Sequence, residues 1–185
     1  MREFRSAGDF AGFLNVLAMR VGLAEHRAIQ AAGEIVQAEA KHSLGTLHEA
    51  AGPFGAWPEL ADSTQARREA LGHSPNEPLL ATHELRDHIL TEAHGNHAVV
   101  GVPSVIVGDG TKENPARDIG MVATVMEFGS AKVPPRSFLG RAAFVKAHAA
   151  ARVAALIVGA TIADQPFRNV SARTILKSAG PGEET

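Results

Sequence analysis

Nine histidines, twenty acidic residues and no cysteine set the limits on the chemistry this chain could carry. Without cysteine there is no thiol nucleophile, no disulfide and no cysteine-ligated zinc. The nearest approach to a metal site is the run His83-Glu84-Leu85-Arg86-Asp87-His88, an H-E-x-x-x-H pattern. Zinc-protease histidines sit four residues apart so that both share one helix face. A five-residue spacing turns the second about 140° away on a helix and onto the opposite face of a strand. His94 and His97 flank a turn and could share a metal, but no carboxylate stands at a telling offset from them. No phosphate-loop pattern, dinucleotide fingerprint or nucleophile elbow occurs, and Gly101, Gly108 and Gly110 fit turns. Arg67-Arg68 reads as a solvated helix face, and Glu183-Glu184 lies in a tail with no site around it. The reading is of a chain with no catalytic residue, no metal ligand and no cofactor. The alternative of another class is a histidine-dependent metal hydrolase on His83, Glu84, His88, His94 and His97.

The chain has 185 residues, 45% hydrophobic and 21% charged, with a mean hydropathy of -0.02. That composition sustains one packed domain with additions at its ends. Alanine dominates the long runs and aromatics make up 5%, so each buried residue removes little area from water. Such a domain leans on partner subunits. The 18 basic and 20 acidic residues are interspersed, which gives no duplex-binding surface. Arg2 and Arg5 start the chain, but Glu3 and Asp9 break any targeting pattern. The longest apolar stretch, Val153 to Ala163, is shorter than a bilayer span, so no membrane contact and a chain that stays in solution are expected.

Phe10, Phe13, Leu14, Leu17 and Val21 recur at helical spacing after Asp9, a cap residue, and before Gly22, a stop. A second stripe, Ile29, Ala32, Val36, Ala40 and Leu44, ends at Gly45. The break at Gly22 predicts either a helical hairpin or one bent rod. Breakers crowd residues 52 to 78, leaving a capped turn from Asp62 to Gly72. Leu85 to His94 and Ala98 to Val107 are the predicted strands, joined through Gly95-Asn96, with Pro103 marking an edge or bulge. Asp118 caps a short helix that stops at Gly129, and a long helix starts near Pro135. One more strand is predicted over Asn169 to Leu176.

The densest segment runs from Glu127 to Gly140, EFGSAKVPPRSFLG. Gly129 lets the chain leave a helix with positive φ, and Pro134 and Pro135 stiffen the path to the next helix. Arg136, fixed beside a helix start, can reach a carboxylate such as Glu127, while Phe138 and Leu139 plug the core. This segment resembles the h-E-F-G and P-x-R-P-F-L elements of the neck and tail-completion proteins of tailed bacteriophages, a family also called virion morphogenesis or head-tail joining proteins. Trp57, Leu60 and Thr64 match the family's W-x-x-L-x-x-x-T segment. Leu79, Thr82, Leu85 and Ile89 match its P-L-x-x-T-G-x-L-x-x-S-I segment. Order and spacing agree from about Leu23 to Ile162. Ser137 stands where the family usually has proline, His83 where it often has glycine, and His88 where serine is common.

The resemblance implies an α+β fold with N-terminal helices, a small curved antiparallel sheet and a long C-terminal helix packed on it. The expected organisation is one domain over residues 1–165, with the helix in 1–22 peripheral, and a C-terminal extension over 166–185 that lies outside the resemblance. The function it implies is structural: a ring of identical subunits at the head-tail junction of a virion, assembled in the host bacterial cytoplasm. Its partners would be copies of itself, neighbouring stopper or adaptor proteins, and tail-tube or terminator proteins. A tail terminator or head-closing stopper is the alternative position within the virion. A cellular helical adaptor is a further reading. The loops over Gly52 to Pro78 and Gly108 to Arg117 are the expected contact surfaces.

Overall fold

Gly22 sits between good helix formers, and one glycine does not by itself stop a helix. In the structure, a computed structural model describing residues 4–111 and 114–163, a single helix α1 covers Ala7–Ser43. The expected break does not form. An interior glycine costs a helix only about 1 kcal/mol relative to alanine, which helix formers such as Leu17, Ala18, Leu23 and Ala24 on either side outweigh. Ser6, not Asp9, is the cap: its Oγ accepts the Asp9 N–H at 3.0 Å. The helix ends at Ser43, and the chain turns at Gly45.

Between the breakers of the next segment, α2 covers Asp62–Ala70, where the helical turn is expected, but its N-cap is Ala61, with no side-chain capping bond. A four-residue helix, α3 over Glu84–Asp87, then occupies the first half of the predicted strand. Leu85 and Ile89 are four apart and both buried, a spacing that shares one face in a helix and in a strand alike, and α3 ends before Ile89. Strand β1 begins only at Leu90–His94 and pairs antiparallel with β2, His97–Gly101, through the Gly95-Asn96 turn. The second predicted strand is also divided. Pro103 has no N–H for a ladder, and the chain resumes as a two-residue β3, Ile106–Val107, paired with β4, Arg117–Asp118. The ladders form two separate two-stranded sheets.

Two helices complete the described chain: α4 over Ile119–Phe128 and α5 over Leu139–Ile162. The fold is α+β, mostly helical. Helix α5 runs antiparallel to α1, with Lys146 bonded to Glu39 at 3.2 Å at one end. Further along, Ala24, Ala28 and Ile35 pack with Val153 and Ile157. A second face of α1 lies on the β1–β2 hairpin. A Cβ added at Gly33 would stand 2.5 Å from the Thr91 methyl and 3.2 Å from Ala98 Cβ, so glycine is what permits this approach. Helix α5 thus reaches the sheet layer chiefly through α1. The main core joins Ala40, Leu44, Trp57, Leu85, Ile89, Ile119, Ala123, Phe138 and Ala142.

One expectation about apolar length is corrected. Both α1 and α5 contain 18-residue windows apolar and long enough for a bilayer, with mean hydropathies of 1.2 and 1.5. The longest unbroken apolar run understates them, because alanines raise the hydropathy of a helix on all its faces. The strand predicted over Asn169 to Leu176 and the extension over 166–185 lie outside the described residues.

Candidate functional site

The corner between α4 and α5 is built on two acidic caps. Asp118 Oδ1 accepts from Gly120 N at 2.8 Å and Met121 N at 3.3 Å, which starts α4. The Ser104 hydroxyl bonds the same carboxylate, and that bond is the main reason its pKa lies below the ordinary aspartate value. At the other end of α4, Gly129 has φ 79° and returns its N–H to Val125 O at 2.8 Å. The chain then doubles back: Ser130 N bonds Val133 O at 2.8 Å, and Arg136 N bonds Met126 O at 2.7 Å. The long helix begins at Leu139 rather than at Pro135.

Glu127 and Arg136 do not pair, contrary to expectation. Glu127 caps α5 instead. Its carboxylate accepts from Phe138 N at 2.8 Å, Leu139 N at 2.9 Å and Gly140 N at 2.8 Å, and from the Ser137 hydroxyl. A helix N-terminus leaves such N–H groups unpaired and carries partial positive charge, so one carboxylate serves both needs. A Cβ at Gly140 would lie 3.0 Å from Glu127 Oε1 and 2.7 Å from the Phe54 ring, so the cap needs glycine there. Ser137, placed where proline is usual in the resembled family, supplies a hydroxyl that proline lacks.

Arg136 turns the other way. It is 5% exposed, and its NH2 group donates to Pro58 O at 2.8 Å and Glu59 O at 3.2 Å. Its Nε–H is buried with no hydrogen-bond partner among the described residues. Burial lowers its pKa from the ordinary arginine value, yet arginine stays protonated in proteins.

Arg136 lines an open cleft of about 490 Å³. Leu60 and Thr64 come to it from the α2 region, and Leu79, Thr82 and Leu85 from the segment leading through α3. Pro134 joins from the strap, so seven expected site residues share one wall. Ile119, Val122 and Met126 of α4 add apolar surface that no motif in the chain assigns to this place. Four cations line it, Arg68, Arg117, Lys132 and Arg136, against two carboxylates, Glu59 and Glu84. Glu84 is held by Arg117 and by the Thr82 hydroxyl at 2.8 Å. Arg68, Lys132 and Arg136 have no carboxylate partner among the described residues. Arg68, expected on a solvated face, donates to Ser74 O at 2.8 Å and Leu80 O at 3.2 Å, tying the loop after α2 to the cleft.

The other expected residues lie behind this wall or away from it. Trp57, Ile89 and Phe138 are in the main core, with Leu139 packed against it. His48 meets the Trp57 ring edge-on at 4.8 Å. Pro135 closes on Gly129. Phe128 is 77% exposed and so is no part of the core.

The histidines do not converge. His83 lines the cleft, whereas His88 bonds its Nδ1 to Glu84 O at 2.8 Å. His94 and His97 sit at the hairpin turn, their rings 5.9 Å apart, with Glu92 3.2 Å from His94. Among the described residues no three or more histidines and carboxylates are grouped to hold a metal. His83 has φ 61°, a conformation suited to the glycine common at this position in the resembled family. The arrangement offers apolar contact and positive charge, which suits binding. Comparison of the chain with protein-family models, curated proteins and solved structures finds no match.

Proposed function

We propose that this chain is a structural component of a tailed-phage virion, acting as a ring-forming neck or tail-completion protein that joins tail to head. One observation carries the reading beyond the sequence resemblance itself. Three segments spread from Trp57 to Leu139 meet in one corner, either lining the cleft or forming the core behind it. Polar groups in that corner are spent on capping a helix and holding a loop, which are tasks of construction. Exposed apolar side chains such as Met121 and Phe128 suit contact with further subunits. Rings of identical subunits use head-to-tail contacts of two different surfaces, and the Gly52 to Pro78 and Gly108 to Arg117 loops are the proposed ones. The assembled protein would sit at the head-tail junction, beside stopper or adaptor and tail-tube or terminator proteins, without specific nucleic-acid or membrane contact.

The test is electron microscopy of particles made without this protein. Full heads beside complete but unattached tails support the assignment. Overlong tails favour the terminator position, and normal infectious particles overturn the reading. Deleting residues 108–117 with no loss of tail attachment would remove that loop from the contact surface.

A further inference from the structure

We propose that the cleft under the α4–α5 corner is a docking socket for an extended segment of another polypeptide, one presenting a carboxylate side chain between apolar ones. That the partner is a neighbouring subunit of the virion rests on the head-tail reading; the socket itself does not.

Three features of the cleft define the occupant. The first is its floor, where Leu60, Leu79, Val122 and Met126 present apolar surface within a volume of about 490 Å³. Sites for small ligands or short peptide stretches have this size, and they are mostly apolar with a few fixed polar groups. The second is charge. Four lining cations face two carboxylates, one of which is already taken by Arg117 and Thr82. Arg68, Lys132 and Arg136 lack an acidic partner among the described residues. An anionic group brought by a partner would complete them, and a lysine-bearing one would be repelled.

The third feature is Arg136 itself. Arg136 lines the cleft as a buried guanidinium, and its Nε–H has no hydrogen-bond partner among the described residues. Such groups are rare because leaving them unmade is costly. Its NH2 group is locked onto the Pro58 and Glu59 carbonyls, so the side chain is held ready. A planar guanidinium of fixed orientation is the natural receiver of a carboxylate.

The test is a titration of the full-length protein carrying ¹⁵N-labelled arginine. The Arg136 Nε–H signal is identified by slow exchange with solvent and by its loss in R136K. The probes are the peptides acetyl-Leu-Glu-Leu-amide and acetyl-Leu-Gln-Leu-amide, with sodium acetate as a third. The glutamate peptide should move the Arg136 signal saturably, with a midpoint on the order of millimolar. The glutamine peptide should bind about tenfold more weakly. Lys132 is exposed, so K132E should leave the other arginine signals in place while weakening the glutamate peptide roughly fivefold.

An Arg136 signal that does not move with the glutamate peptide would overturn the socket, as would equal responses to the two peptides. Acetate matching the glutamate peptide would reduce the site to a simple anion hole and overturn the docking proposal. Unchanged affinity in K132E would overturn the role given to charge. The titration needs no particles, so its failure leaves the head-tail reading standing, and a failed particle assay leaves the socket standing.

Discussion

At the scale of single residues, the corner depends on which polar group meets which backbone deficit. Glu127 satisfies three N–H groups at the start of α5. Glu127→Ala is expected to cost about 2 kcal/mol of stability, with Glu127→Gln recovering part, as read from urea unfolding midpoints. His83 sits at φ 61° without being glycine, a conformation that penalises a side chain. His83→Gly should therefore gain up to about 1 kcal/mol, reduced by the greater freedom glycine has when unfolded. Asp118 adds a pH dependence. The Ser104 hydroxyl, then the Met121 and Gly120 N–H groups, outweigh desolvation and depress its folded pKa. A depressed carboxyl contributes stability above its unfolded pKa of about 3.9, and loses it as pH falls through the lower folded value. Asp118→Asn should therefore be less stable than the parent at neutral pH and show a shallower loss in acid. Denaturant midpoints measured from pH 7 down to the acid limb check both parts.

At the scale of elements, α1 organises the rest by offering α5 one face and the hairpin another. Its seam with the hairpin is close because Gly33 has no Cβ. Gly33→Ala should cost about 1–3 kcal/mol through overpacking against Thr91. Adding Thr91→Ala should restore part of that loss even though it removes the 3.1 Å bond from Thr91 Oγ1 to Gln37. A double-mutant cycle in thermal unfolding would read the coupling, and simple additivity would contradict a shared contact. The same elements show what local pattern can reveal. The Asp118 helix, the stop at Gly129 and the Gly95-Asn96 turn are legible because capping and turn chemistry lie within a few residues of chain. Leu85 and Ile89 suggest a strand because an apolar pair in a short run fits both periods. In the structure both are buried in the main core with Trp57 and Phe138, and the four residues Glu84–Asp87 form a helical turn.

At the scale of the whole molecule, the proposed ring assembly would draw on the exposed apolar surface. Phe128 closes α4 yet is 77% exposed, so its side chain adds little to the fold of one subunit. Phe128→Asp should change monomer stability by no more than about 0.5 kcal/mol while preventing self-association. Sedimentation velocity over a range of concentrations would show the parent forming larger species and the variant remaining monomeric. A variant that still assembles would take Phe128 out of the ring contact.

The sequence by itself determined both ends of α4, the Gly95-Asn96 turn and the importance of the Glu127 to Gly140 segment, because each depends on residues close in the chain. The α+β class that the structure shows was implied by the resemblance. Tertiary structure alone decided that α1 is unbroken, since a glycine at position 22 allows a hairpin and one rod alike. It alone decided that Glu127 caps α5 while Arg136 crosses to Pro58 and Glu59, seventy-eight and seventy-seven residues away. Both side chains could have paired with each other on grounds of charge. What separated them was where unpaired backbone N–H and carbonyl groups came to lie, and that is fixed only when distant segments fold together.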